Sequence, residues 1–304
     1  MNIVDKDKVQ LSFPSIQKYL NQFLSDELDL PTSLVQFHTV GGGSINDTFR
    51  LIVNSQSNFF VKVNSAPKYP KLFQKEKKGL EFLNNQKILR VPSVIVCNEI
   101  DDNQVLVLEW VEEGLRTELF WKKFGEQLAA LHHITNPYFG FEEDNYMGAL
   151  PQRNNRCDTW IEFFVHRRLQ PQIEIAMAHH LVQAKHLTTF ENLYRRVGNI
   201  FNSEQPSLLH GDLWSGNFMC DQNSDLVLID PAVYFGHRSM DLAMTTLFGG
   251  FERSFYESYN YHFPFPNNYD EQWEICNLYP LLIHLNLFGS GYLSQIESIL
   301  RKFR

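Results

Sequence analysis

The stretch from Leu208 to Asp230 constrains this chain more than any other. It reads Leu208-Leu209-His210-Gly211-Asp212-Leu213-Trp214-Ser215-Gly216-Asn217 and closes on Leu226-Val227-Leu228-Ile229-Asp230. Asn217 to Cys220 and Leu226 to Ile229 are short apolar runs of strand character, and Asp221-Gln222-Asn223-Ser224-Asp225 between them has a turn composition. A hairpin centred between Asn223 and Ser224 sets Asn217 opposite Asp230 at its open end. Two neighbouring side chains that offer oxygen suit a hard cation such as Mg²⁺, which takes its other ligands from water and phosphates. Asp212, five residues before Asn217, faces the same spot and is placed to orient a hydroxyl. Each residue alone has a plainer reading: Asp212 and Asn217 as turn residues, Asp230 as a strand end before Pro231. Three at this spacing, joined by one hairpin, favour a site.

The N-terminal part is organised differently. A helix is expected after Pro14, with Ile16, Tyr19, Leu20, Phe23 and Leu24 on one face and Pro31 as its stop. Extended segments follow at Leu34 to Val40, Thr48 to Val53 and Phe59 to Val63, then a helix from about Lys71 to Asn85. Two further strands, Val94 to Cys97 and Val105 to Trp110, bring the count to five strands with one inserted helix. Beyond a short joint near Glu112-Glu113-Gly114 the chain is mostly helical. Helices are expected at Thr117 to His132, Thr159 to Leu169, Ile173 to His186, Phe190 to Phe201, Met240 to Phe248, Glu271 to Leu285 and Leu293 to Phe303. The division falls at 1–111 and 112–304, a β-rich N-terminal lobe and a helical C-terminal one, and a cleft between lobes is a common ligand site.

Composition bounds the partners. The formal charge of −8 argues against a non-specific nucleic-acid binder, which needs a dense field of Lys and Arg. No window approaches 18 consecutive apolar residues and the first residues lack the apolar core of a signal peptide, so no membrane partner and a cytoplasmic location are expected. A monomer is the expectation for its assembly. Cys97, Cys157, Cys220 and Cys276 form no C-x-x-C pair, and the adjacent His132-His133 and His179-His180 point apart on a helix, so neither set makes a zinc site.

Three features of the N-terminal part bear on the hairpin. Val61-Lys62-Val63 puts a lysine between apolar neighbours on the third strand, and Glu76 is the helical carboxylate best placed to meet it. The pair reads either as solvated charges or as a buried ion pair, and the C-terminal loop favours the second. Gly41-Gly42-Gly43, followed by Ser44, would let backbone approach phosphates without a Cβ in the way, and serves equally as a hairpin tip. Val107-Leu108-Glu109-Trp110-Val111 ends the last strand at the joint, where the backbone of Glu109 and Val111 could bond an adenine edge.

The spacing H-x-D-x-x-x-x-N with a later strand-end Asp resembles the catalytic and metal loops of protein-kinase-like phosphotransferases. In detail the chain resembles the fructosamine kinase (ketosamine 3-kinase) family, within the aminoglycoside phosphotransferase-like group. The resemblance rests on Gly41 to Asn46, Phe60 to Val63, Glu76 with Gly79-Leu80, Asp144 to Gly148 with Pro151-Gln152, and Trp160 to Phe164 with Arg168-Leu169. It is densest at His210 to Asn217 and at Asp230 to Arg238 with Asp241 to Met244.

The resemblance implies an α+β, protein-kinase-like fold of two lobes, the first a five-stranded antiparallel sheet with a helix. It implies ATP and Mg²⁺ as cofactors, Asp212 as catalytic base, Asn217 and Asp230 as metal ligands, and Lys62 and Glu76 positioning ATP under the glycine loop. It casts Asp241 as a brace of the catalytic loop and Trp214 as an aromatic face for the sugar, though Trp214 also reads as a core aromatic. The implied reaction phosphorylates the 3-hydroxyl of small-molecule or protein-bound ketosamines, in repair of glycated lysines. The alternatives are a kinase of the aminoglycoside or choline type acting on another amino alcohol, and a catalytically silent scaffold. Ser44 stands where many such relatives carry cysteine, so redox control through that loop is not expected.

Overall fold

The computed structural model describes residues 13–28, 35–41 and 45–303, which gather into two compact units. Of the described residues, one holds those up to Asn85 together with Val91–Glu113; the other holds Gln86–Arg90 and those from Gly114 onward. Among the described residues no helix is long and apolar enough to cross a membrane.

In the first unit, helix α1 (Pro14–Asp26) has proline in its first turn, where the missing N–H has no helical partner in any case. It ends at Asp26, ahead of Pro31, which lies outside the described residues. Strands β1 (Val35–Thr39), β2 (Asp47–Val53), β3 (Ser57–Ser65), β4 (Val94–Ile100) and β5 (Asn103–Glu109) form one antiparallel sheet in the order β1-β2-β3-β5-β4. Ile16, Leu20 and Leu24 of α1 pack on Leu51, Val61, Val63, Val105 and Val107. Strand residues alternate between faces, so Val61 and Val63 under α1 send Lys62 to the other face. Helix α2 (Leu72–Asn85) belongs to this unit as well.

The second unit is mainly helical, as expected, but its breaks were not all foreseeable. Helix α3 (Glu118–His132) is capped by Thr117, whose hydroxyl accepts from the Phe120 N–H. Strands β6 (Asn145–Met147) and β7 (Leu150–Gln152) make a small hairpin. Helix α4 (Trp160–Phe163) runs into a π-helical turn, Phe164–Leu169, and then into α5 (Gln170–Ala178). The helix expected over 173–186 is broken after Ala178, where His180 takes φ +57°, and α6 (Ala184–Arg196) begins four residues on from His180. Then come β8 (Ser207–Leu209), β9 (Phe218–Cys220), β10 (Leu226–Leu228) and β11 (Tyr234–Gly236), followed by α7 (Ser239–Leu247). Helix α8 (Arg253–His262) is absent from the expected elements, and the single helix expected over 271–285 is two, α9 (Tyr269–Cys276) and α10 (Leu278–Phe288), with α11 (Leu293–Leu300) closing the set. The aromatic load fills the core: Phe120, Trp121, Phe124, Phe218, Phe251 and Phe255 meet ring to ring at 5–6.2 Å.

Three buried histidines in this unit set an acid limit. Burial pushes His132 and His210 below the ordinary imidazole value, and pushes His237 down to about 4 despite Glu204 beside it. A group that resists protonation only when folded stabilises the fold above its unfolded pKa of about 6.5, and that stabilisation is lost as pH falls toward the folded value. His237 alone is expected to remove about 2 kcal/mol between pH 7 and pH 5. Urea unfolding at these two pH values checks this, and a flat profile refutes it.

Candidate active site

In the first unit, Lys62 Nζ meets Glu76 Oε1 at 2.7 Å, with the lysine side chain 2% exposed. The geometry follows from two anchors. Gln104 on β5, 1% exposed, accepts from the Phe73 N–H at 3.1 Å and donates to Tyr69 O at 2.7 Å, which pins the start of α2 one turn before Glu76. Asn64, two residues past Lys62, donates to Ile45 O at 3.2 Å and to Asn46 Oδ1 at 2.6 Å, tying down the far end of the glycine loop. Neither residue was singled out from sequence; a lone amide inside an apolar strand is the signal that could have found Gln104.

Gly41 has open space where a Cβ would stand, while Gly42, Gly43 and Ser44 lie outside the described residues. Glu109 pairs with Ser93 through both backbone and carboxylate, its N–H donating to Ser93 O at 2.9 Å and its Oε2 accepting from the Ser93 N–H at 3.2 Å. Val111 is buried.

In the second unit the loop from His210 to Asn217 joins β8 to β9, and a single carboxylate organises its start. Asp241 on α7, 1% exposed, accepts from the His210 N–H at 2.8 Å through Oδ2 and from the Gly211 N–H at 2.9 Å through Oδ1. His132 of α3 supports it, with Nε2 at 3.3 Å from Asp241 Oδ2 and Nδ1 at 2.8 Å from the Tyr259 hydroxyl. Gly211 turns at φ +86°, and a Cβ there would lie 2.1 Å from Ala232 O, so only glycine fits. His210 is fully buried; its Nδ1 accepts from the Asp212 N–H at 3.3 Å and its Nε2 donates to Ile229 O at 2.9 Å, which fixes the neutral ring in one tautomer.

Asp212 and Asn217 are brought together. The Asn217 amide donates to Asp212 Oδ2 at 2.9 Å and to Asp212 O at 2.8 Å. Asp212 keeps part of its surface accessible, yet desolvation, and then the like charge of Asp230, push its carboxyl up to about 7 against the pull of the Asn217 hydrogen bond. A carboxylate near neutrality that a hydroxyl can reach is suited to general-base work.

The hairpin register differs from the expected one by a residue. Cys220 pairs with Leu226, Met219 with Val227 and Phe218 with Leu228, so Asn217 faces Ile229, whose N–H donates to Asn217 O at 3.1 Å. The turn is the reason. Asp221 Oδ1 accepts from the N–H groups of Asn223 and Asp225, both at 2.9 Å, and Ser224 takes φ +61°, which makes a three-residue loop centred on Asn223. Asp230 lies one residue past the pair and turns at φ +54°, an uncommon conformation for a residue other than glycine.

The donor set suits Mg²⁺. Both Asn217 amide hydrogens point to Asp212, which turns Asn217 Oδ1 away from it as an acceptor, and Asp230 supplies carboxylate oxygen. Among the described residues no three His, Cys, Asp or Glu side chains gather into a cage of their own, so a cation at this loop would take its remaining ligands from phosphate and water. Trp214 is half-buried: its ring lies over Gly216, where a Cβ would come within 2.3 Å of it, and meets Phe248 edge-on at 5.8 Å.

The fructosamine kinase family model matches residues 16–304. The chain belongs to the fructosamine kinase family. It is 36% identical over 292 residues to a probable ketoamine kinase of Synechocystis, covering 95% of this chain and 97% of that one. It is 35% identical over 279 residues to the chloroplastic protein-ribulosamine 3-kinase of Arabidopsis thaliana, covering 88% and 82%. A solved structure assigned as a fructosamine-3-kinase, from Thermobifida fusca, superposes with a TM-score of 0.82 at 30% identity over 93% of this chain and 97% of that one. The fold is thus α+β and kinase-like, and the fructosamine kinase family is a family of kinases to which this enzyme belongs.

Proposed function

We propose that the enzyme transfers the γ-phosphoryl group of ATP to the 3-hydroxyl of ketosamines, the ribulosamine and fructosamine adducts of lysine, and so serves the repair of glycated amines. Family membership across residues 16–304, with the Asp212–Asn217 pair intact in the loop, carries this reading. In it, residues 1–111 bind the nucleotide and residues 112–304 supply the catalytic loop and the sugar site.

Asp212 would accept the proton of the 3-hydroxyl as that oxygen bonds to phosphorus and the bond from phosphorus to the ADP oxygen breaks. Asn217 Oδ1 and Asp230 would hold Mg²⁺. When bound, that ion supplies charge neutralisation on the phosphate oxygens. Lys62, oriented by Glu76, would add a second positive charge at the phosphates, and the glycine loop its backbone N–H groups. The strand end at Glu109 and Val111 would take the adenine edge, and Trp214 would stack on the sugar.

Incubation with Mg-ATP and Nε-ribulosyl- or Nε-fructosyl-lysine is expected to give a sugar 3-phosphate, read by ³¹P NMR. Phosphorylation of other small alcohols with none of these adducts would overturn the substrate assignment.

A further inference from the structure

Asp230 holds a left-handed turn immediately before Pro231, and a residue before proline is further restricted by the ring that follows it. Such a conformation is costly for a residue with a Cβ and persists only where its surroundings over-determine it. Upstream, Ile229 is held from both sides, by Asn217 O and by His210 Nε2. Downstream, the Ala232 N–H donates to His210 O at 2.9 Å, and the next two carbonyls are taken by side chains from the β6–β7 hairpin. Gln152 Nε2 donates to Ala232 O at 3.1 Å and Asn145 Nδ2 to Val233 O at 2.9 Å.

These amides cannot choose their own direction. Arg168, on the π-helical turn, is fully buried and can only donate, so Asn154 must present Oδ1 to its Nη2 at 2.8 Å. The Asn154 amide hydrogens then go to Glu143 O and to Asn145 Oδ1, the latter at 3.0 Å. Asn145, receiving there, must spend its own hydrogens on Val233 O. Gln152 also donates to Asn145 Oδ1, at 2.8 Å, which leaves its Oε1 for the Tyr279 hydroxyl at 2.9 Å. The chain of bonds therefore has one polarity, set at the guanidinium and delivered to two backbone carbonyls. Arg168 itself is held by Arg153 O at 2.5 Å and by the faces of Phe163 and Tyr234, 4.4 and 4.0 Å from its centre. Gln152 and Asn154 are each 1% exposed, so water does not substitute for these partners.

We infer that Gln152, Asn145, Asn154 and Arg168 are positioning residues that hold the Ala232–Val233 carbonyls and thereby keep Asp230 in its strained turn, aimed at the cation that accompanies the nucleotide. The inference rests on the reading of Asp230 as a cation ligand in the proposed reaction. Residues that orient metal ligands change metal affinity about 10–100-fold when replaced. Gln152→Glu keeps shape and the Tyr279 contact but puts an acceptor against two acceptors.

The test is the Mg²⁺ concentration that half-saturates binding of a non-hydrolysable ATP analogue to the full chain, followed by titration calorimetry without any acceptor sugar. Gln152→Glu is expected to raise it about tenfold or more. Leu193→Ala, a buried change on α6 outside this chain of bonds, is expected to lower stability and leave it unchanged. A folded Gln152→Glu protein with wild-type Mg²⁺ demand overturns the inference, as does an equal rise in Leu193→Ala. Should Gln152→Glu not fold, Tyr279→Phe decides, with a rise of about threefold expected from one lost hydrogen bond and no rise counting against the inference. Because no sugar is present, failure of the substrate assignment appears only in turnover, and leaves this measurement intact.

Discussion

Asp212→Asn is expected to lower kcat by about 10²–10⁴ while Mg-nucleotide binding persists. The substitution is nearly isosteric. An asparagine at 212 can turn its carbonyl oxygen to the Asn217 amide and keep the 2.9 Å contact, so the loop retains its shape. What it loses is the group that desolvation and Asp230 bring to about 7, which is what lets the carboxyl take a proton near neutrality. The effect should therefore fall on kcat and spare the nucleotide KM. Steady-state kinetics, with a thermal shift on adding Mg-ATP to confirm that the site still binds, make the check. Retention of more than about a tenth of wild-type kcat would remove Asp212 from the role of base.

Asp241→Asn should cost about 3 kcal/mol of stability and about 10² in kcat, although residue 241 is assigned no contact with substrate. Its two carboxylate oxygens each accept from one of two successive backbone N–H groups, His210 and Gly211. An asparagine offers only one acceptor, so in either orientation its NH₂ confronts an N–H. The buried site gives the orphaned donor no water, and His132 loses the charge it faces. Since His210 N–H and Gly211 N–H set the entry into the loop, Asp212 moves with them. Urea midpoints measure the first effect and kcat at a temperature where the variant is folded measures the second. A stable variant with normal turnover would mean that the brace is dispensable.

The alternation Val61-Lys62-Val63 was legible because strand residues change faces strictly, and a lysine between two core valines has to find a partner on the other side. The H-x-D-x-x-x-x-N spacing was legible because its residues are close in sequence and locally bonded. The register of the β9–β10 hairpin was not, since the loop length depends on Asp221 capping two N–H groups and on Ser224 entering a left-handed conformation that composition does not dictate. The break at His180 carries no glycine or proline to announce it. Strands β6, β7, β8 and β11 are three residues each, too short for a period to register. The amides of Asn145, Gln152 and Asn154 look like loop polarity in the sequence, and only folding shows that they serve distant carbonyls.

The seclusion of Lys62 has a chemical side beyond electrostatics. Open-chain sugars condense with unprotonated, accessible amines, the same damage that this enzyme is proposed to reverse in others. An ammonium that is 2% exposed and clamped by Glu76 offers aldehydes neither a lone pair nor an approach. The amine proposed to meet the phosphates is thus shielded from becoming a substrate itself.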